Sequence, residues 1–294
     1  VAFLGSIASI LGLLAMAWQM LKGQSIESYQ LPAIGTLLLV SLIVGGYSVR
    51  VRSDNQAVHS VFQLFHEINH LYRNTLAIMF SELHPTTDNT ILHQNERTTL
   101  EAVCQRISDI YQLLIRRHCV VTVKLTTKTG PLYVTETFVR SESKSARDDD
   151  HPKVFEVKTG ANTAYDEAIR FVPGITSHFY SGDLLKDEKR GRYRNQRSNW
   201  KKYYKSAIVV PIRFADPKKI GQDDATDDLG FLCVDTKSRN RLKDGSHVQI
   251  VCAFADQMYN FMQLMRGKFC VARRALTVAA QQQKPVEGEK SNGN

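Results

Sequence analysis

Two stretches of this chain hold residues whose types and spacing could do chemistry. The first is His66-Glu67-Ile68-Asn69-His70, an H-E-x-x-H match. On a helix its two imidazoles lie one turn apart on one face, where they could hold zinc while Glu67 activates water, with Glu96 or Glu101 from a following helix as third ligand. That chemistry would be peptide hydrolysis. The motif is short, however, and its surroundings follow a heptad pattern in which His59, His66, His70 and Arg73 form the polar face of a helix. The expectation is therefore no metal and no catalytic residue, with zinc peptidase chemistry through His66, Glu67 and His70 kept as an alternative. The second stretch, Lys186 to Lys205, carries nine Lys or Arg residues against Asp187 and Glu188, interleaved with Tyr193, Trp200, Tyr203 and Tyr204. Cations neutralise phosphate and aromatic faces stack on a base, so this composition suits a phosphorylated nucleotide. The competing reading is a solvated segment with its aromatics packed beneath it. No Ser-His-Asp order, nucleophile elbow or phosphate-cradling glycine loop accompanies either stretch, and the cofactor is left unknown.

The elements that must position these residues divide near Arg50. Val1 to Leu21 contains no charged side chain, and neither does Leu31 to Val49. At about 1.5 Å of rise per residue, each is long enough to cross the hydrocarbon core of a bilayer. Ala15-Met16-Ala17 has the small-x-small pattern of a signal-peptidase site, but no basic region precedes the apolar run, so a retained span is expected. Arg50 and Arg52 flank the second span, whereas the link between spans offers only Lys22 against Glu27; the positive-inside bias then puts the large domain in the cytoplasm. The expectation is a two-span protein of a bacterial inner membrane. The formal charge of +9 would draw the soluble part toward anionic head groups without a specific site. Five widely spaced cysteines without a C-x-x-C pair read as buried reduced thiols, in keeping with the cytoplasm.

Beyond the spans, apolar residues at Val58, Phe65, Tyr72 and Met79, with Phe62, Leu76 and Leu83 four residues after three of them, form a heptad seam. This predicts a stalk helix that pairs with another helix, a homodimer being the plain case. A second amphipathic helix follows at Leu100, Val103, Cys104, Ile107, Ile110, Tyr111 and Leu114, and the two make an antiparallel hairpin. Strands are predicted at Cys119 to Leu125, Leu132 to Val139, Val154 to Val157, Ser206 to Phe214 and Gly230 to Asp235. A last helix begins near Asp244-Gly245-Ser246, with an apolar stripe at Val248, Val251, Phe254, Ala255, Met258, Phe261, Met262 and Met265. The polar tail from Gln281 reads as disordered. The fold class is α+β: a two-helix transmembrane hairpin, a helical stalk, then strands flanked by helices. The boundaries are 1–50 for the membrane region, 51–95 for the stalk and linker, 96–266 for the α+β domain and 267–294 for the extension.

The segments Tyr204-Lys205-Ser206-Ala207-Ile208-Val209-Val210-Pro211-Ile212, Gly230-Phe231-Leu232-Cys233-Val234-Asp235 and Ala253-Phe254-Ala255-Asp256-Gln257 resemble the pattern of the GAF domain family, over about Arg97 to Met265. That resemblance implies a regulatory, sensory domain: a GAF-like antiparallel sheet with its first and last helices on one face and a small-molecule pocket on the other, closed by the variable segment. It implies binding of a cyclic nucleotide, tetrapyrrole, haem or small metabolite. The cyclic-nucleotide signature is not evident and no cysteine sits in a bilin-attachment context, which lowers those two ligands. Because Lys186 to Lys205 falls where the family closes its pocket, Arg192, Arg194, Arg197, Trp200, Tyr204 and Lys205 are the ligand-binding candidates. A weaker resemblance links Glu67-Ile68-Asn69-His70-Leu71-Tyr72-Arg73-Asn74-Thr75-Leu76-Ala77 to the phosphoacceptor helix of histidine kinases, which would make His70 the acceptor. No glycine-rich ATP-binding domain follows Met265, so phosphotransfer at His70 is an alternative only.

These readings combine into a non-enzymatic, membrane-anchored signalling protein. A small molecule binds the GAF-like domain, and stalk helices pass the change to the hairpin or to a downstream signalling protein. Two alternatives stand beside it: a nucleotide-triggered membrane effector of a bacterial defence system, and a histidine-kinase-like phosphotransfer protein without its ATPase domain.

Overall fold

A computed structural model describes residues 46, 56–78, 89–130, 132–142, 154–170, 177–215 and 226–282. The chain separates into two compact units, 1–62 and 63–294. In the first, only residues 46 and 56–62 are described, all helical. The apolar spans Val1 to Leu21 and Leu31 to Val49 therefore lie outside the described residues, Gly46 apart. Among the described residues no helix is long and apolar enough to cross a membrane.

The second unit is α+β. Helix α1 covers 56–78 and enters it at Gln63. It is followed by α2 (Asn89–Ile115), strands β1 (Val120–Thr129), β2 (Leu132–Arg140) and β3 (Val154–Val157), short helix α3 (Thr163–Ala168), β4 (Phe179–Ser181), short helix α4 (Leu184–Lys189), a 3₁₀ turn (Trp200–Lys202), β5 (Ser206–Ala215), β6 (Thr226–Thr236) and α5 (Ser246–Gln282). The six strands form one sheet in the order β3-β2-β1-β6-β5-β4, and every neighbouring pair is antiparallel.

Strand alternation gives the sheet two unlike faces. Val121, Val123, Ile208, Val210, Leu232 and Val234 lie on one face, all buried. They are covered by the stripes of α2 (Leu100, Val103, Cys104, Ile107, Ile110, Tyr111) and α5, whose eight predicted positions from Val248 to Met265 are all buried. Two positions of the α1 heptad seam are filled from within the chain: Phe65 stacks on Phe254 with ring centroids 4.6 Å apart, and Tyr72 lies 4.9 Å from Phe261. Val58 and Phe62 of the same seam are exposed, and Met79 and Leu83 lie outside the described residues. Each aromatic pair is worth about 0.5–1.5 kcal/mol beyond its buried area. α2 runs antiparallel to α1, as the Glu67–Arg106 ion pair at 2.9 Å and the Thr75–Thr99 hydroxyl bond at 2.8 Å fix.

The other face carries a second core of Phe155, Tyr165, Phe179, Leu184, Tyr193, Trp200 and Phe231 beneath the segment between β3 and β5. Arg213 of β5 fastens that segment to the sheet. Its guanidinium donates to the carbonyls of Ala168 and Ile169 at the end of α3 and faces Asp228 at 3.5 Å, with both side chains nearly buried. Removing one partner of such a pair strands the other charge away from water.

Two bulges shape the sheet where these faces meet. The β1–β2 register shifts between Val123 and Lys124, and the β5–β6 register shifts between Ile212 and Arg213. Between them, Gly230 of β6 crosses β1 so closely that a Cβ there would lie 1.8 Å from the Lys124 carbonyl oxygen. Only glycine allows that approach. At the start of α5, the buried His247 accepts the Lys243 N–H on Nδ1 at 3.1 Å. Burial, with the Lys243 charge second, holds its pKa below the ordinary histidine value of 6.5.

Two stability measurements follow from this packing. Gly230→Ala should destabilise the domain by about 1–3 kcal/mol, read as a lowered thermal midpoint, because backbone must move to admit the methyl group. Since folded His247 binds its proton more weakly than the unfolded chain does, its contribution is intact above 6.5 and is lost as pH falls through the window below it. His247→Gln should flatten the decline of the midpoint over that window.

Candidate functional site

The face of the sheet opposite α2 and α5 holds a cavity of about 440 Å³, a size suited to a small organic ligand. Its floor is the polar side of the central strands: Thr122 and Lys124 of β1, Ala207 and Val209 of β5, Cys233 and Asp235 of β6. The segment between β3 and β5 closes it with Phe155, Asn162, Tyr165, Tyr193, Asn195, Arg197 and Tyr204. β3 pairs only with residues Tyr133 to Glu136 of β2. Past that point the cavity extends to Phe138, Arg140 and Glu142, and it reaches Arg97 and Glu101 of α2.

Lys124 is the buried cation of the floor, only 6% exposed. Its Nζ donates to Thr137 Oγ1 at 3.0 Å and lies 4.3 Å from the centre of the Phe155 ring. Asn195 organises the opposite wall: its amide nitrogen donates to the hydroxyls of Tyr193 (2.6 Å) and Tyr204 (2.8 Å), and its oxygen accepts the Arg197 N–H at 2.9 Å. Burial raises the phenols, Tyr204 to about 12 and Tyr165 and Tyr193 well above the ordinary value. It also pushes the Cys233 thiol up to about 12. Burial thus favours the protonated form of these groups at neutral pH.

Asn162 differs from the rest of the wall. It occupies the N-cap position of α3, where an asparagine ordinarily accepts a backbone N–H of the first turn, yet its side chain makes no cap bond. It is 2% exposed, and its Oδ1 is buried without a hydrogen-bond partner among the described residues. A buried acceptor in that state carries a cost of about 1–3 kcal/mol.

The sequence-derived candidates separate here. Arg197 and Tyr204 line the cavity. Trp200 stands behind them in the second core, its ring 5.0 Å from Tyr193 and 5.8 Å from Tyr204. Arg192 turns outward to an ion pair with Asp187 at 2.7 Å, Arg194 is exposed and held through its backbone to Thr163, and Lys205 joins Leu184 and Thr236 through its backbone. None of these last three lines the cavity. Sequence reasoning passed over Lys124, Asn162 and Asn195. The one available signal was a lysine inside Val120-Val121-Thr122-Val123-Lys124-Leu125, a strand apolar enough to be central.

The histidine motif has a different setting. His66 and His70 meet edge to face, with ring centroids 4.2 Å apart. The carboxylates proposed beside them scatter: Glu67 pairs with Arg106, Glu96 is buried 3.6 Å from His93, and Glu101 faces the cavity. Among the described residues no group of three or more His, Cys, Asp or Glu side chains could hold a metal ion. An Arg73 N–H points at His70 Nδ1 at 2.7 Å.

The helix-covered face, the antiparallel order β3-β2-β1-β6-β5-β4 and the cavity under the variable segment complete the arrangement implied by the sequence pattern. The fold is GAF-like. Among solved structures, the chain is similar to the GAF domain region of a Geobacter sulfurreducens PCA protein, at 14% identity over 58% of this chain and 97% of that one, with a TM-score of 0.37. It is likewise similar to residues 122 to 287 of a methyl-accepting chemotaxis protein (12% identity, 59% and 96% coverage, TM-score 0.38). A third is the GAF domain of an Acinetobacter phosphoenolpyruvate-protein phosphotransferase (10% identity, 70% and 98% coverage, TM-score 0.35). No protein-family model matches the sequence, and comparison with curated proteins finds no match.

The Arg73 contact yields a titration prediction. Arg73 first, then desolvation and His66, lower the pKa of His70 below 6.5, so the ring should be predominantly neutral at pH 7. Histidine-resolved NMR should show it titrating below the ordinary range, and Arg73→Ala should move the midpoint upward.

Proposed function

We propose that this chain is a membrane-anchored sensory protein that binds a small molecule in the cavity of its GAF-like domain and signals without catalysing a reaction. Asn162 carries the ligand-binding reading: a cap residue whose side chain forgoes the cap and leaves a buried acceptor in the cavity wall is explained by a donor that a ligand brings.

The charges around the cavity narrow the ligand class. Arg97, Lys124, Arg140 and Arg197 are matched by Glu101, Glu136, Glu142 and Asp235, four cations against four acids. A balanced set favours a compact, amphoteric molecule over a polyphosphate. The aromatic walls favour a planar one, with an acidic group toward Lys124 and an N–H toward Asn162. The protonated phenols and thiol support binding over covalent chemistry.

Transmission would run through α2, which both lines the cavity at Arg97 and Glu101 and is bonded to α1 at Glu67 and Thr75. α1 leads back toward the apolar segments 1–21 and 31–49, read as two spans of an inner membrane with the domain in the cytoplasm. A ligand that prefers one packing of α2 on α1 would shift that equilibrium by its difference in affinity. The receiver is the bilayer hairpin, a second copy joined through the stalk, or a downstream signalling protein.

The full chain, purified without denaturation, should release a small molecule identifiable by mass spectrometry. Asn162→Ala should lower its affinity by about tenfold, one buried hydrogen bond, with little change in thermal midpoint because no cap bond is lost. A wild-type chain that carries nothing and binds nothing from a metabolite extract would sink the reading.

A further inference from the structure

The contacts within the helix layer fix which end of the domain receives the chain. Phe65 and Tyr72 of α1 lie level with Phe254 and Phe261 of α5, so the two helices run parallel. The Gln63 end of α1 therefore points toward the start of α5. The last turn of α2 reaches the same end, since the Tyr111 hydroxyl donates to the His247 carbonyl.

Two connections meet there: 116–118, between α2 and β1, and 237–245, between β6 and α5. Thr236 Oγ1 donates to the His118 carbonyl at 2.7 Å and joins them. Together they hold six cations, Arg116, Arg117, Lys237, Arg239, Arg241 and Lys243, all exposed, against one acid, Asp244. The neighbouring acids are already engaged, Asp183 lying 3.8 Å from Arg239 and Glu142 lying 3.3 Å from His118. A large part of the chain's net charge of +9 is thus displayed on one end of the domain.

We infer that this basic end is a docking surface for a bilayer containing anionic lipid. Charge complementarity selects an anionic partner, and the direction of α1 selects the membrane over nucleic acid. The chain arrives at this end from the apolar segment ending at Val49; residues 56–62 are helical and add about 10 Å, and residues 50–55 can reach no more than about 20 Å. Phosphate head groups are thereby within reach of six cations, each worth about 1 kcal/mol near such a surface. The inference rests on the membrane-anchored reading above. It adds that the domain lies against the bilayer on a defined face, with the β1–β2 turn at Gly130 at the other end of the sheet and pointing away.

The full chain reconstituted into nanodiscs of phosphatidylcholine, alone or with phosphatidylglycerol, tests this by lysine acetylation read by mass spectrometry. Lys237 and Lys243 should react about tenfold more slowly in the anionic discs. Lys128, exposed near the β1–β2 turn, should react equally in both and so controls for access of the reagent, while buried Lys124 should stay unreactive in both and reports that the domain is folded. Combining Arg116→Gln, Arg117→Gln, Arg239→Gln and Arg241→Gln should restore the reactivity of the two reporter lysines. Stable incorporation with equal reactivity in both discs overturns the docking surface and leaves the anchor standing. Salt-sensitive retention and protection on anionic discs without incorporation supports the surface and removes the anchor. A chain that neither incorporates nor is retained overturns both. Protection by a duplex oligonucleotide, but not by phosphatidylglycerol, overturns the lipid assignment in favour of nucleic acid.

Discussion

The approach of Gly230 to the Lys124 carbonyl is the constraint on which the cavity face depends. Two bulges, one on each side of this crossing, bend the central strands. The extra residue of the first bulge is Phe138 of β2, and beside it Lys124, aimed by the alternation of β1, ends with its ammonium over the Phe155 ring beside Thr137. With a larger residue at position 230 the strands must part, and the buried cation, the aromatic wall and the cavity floor all lose their alignment. The opposite face needs no such device, because apolar side chains on α2, α5 and the sheet meet there by burial alone.

The architecture separates stability from binding. The helix layer supplies a dry core with aromatic contacts along α1 and α5, while the segment between β3 and β5 supplies a smaller core and the cavity wall. Arg213 bridges the two by holding the end of α3 to β5. This arrangement lets the cavity carry charged and partly unsatisfied groups without endangering the domain, since their cost falls on a segment fastened at a few points.

Where burial follows a period, the sequence was legible. The stripe of α5 from Val248 to Met265, the strands around Val209 and Val234, and Phe65 and Tyr72 of the α1 seam could all be read from spacing. β4, at three residues, is too short to show a period. The cavity was harder. Alternation in β1 assigns Thr122 and Lys124 a polar face, and water is the ordinary occupant of such a face; only the segment folded over it makes that face an interior. Within 186–205 the aromatics were correctly separable from the cations by hydrophobicity. Which cations turn inward was not, because Arg192 is drawn out by Asp187 and Arg197 is turned in through Asn195, contacts that no periodicity encodes.

The parallel seam between α1 and α5 also limits how α1 can move against α5. Phe65 and Tyr72 are seven residues apart, and so are their partners Phe254 and Phe261. To slide along α5 and restore even one aromatic pair, α1 would have to move a whole heptad, about 10 Å. A piston stroke of an ångström or two would unstack both pairs together. Rotation of α1 about its axis, or splaying of its Gln63 end, disturbs them gradually, so the geometry of this seam selects twisting and tilting over axial displacement.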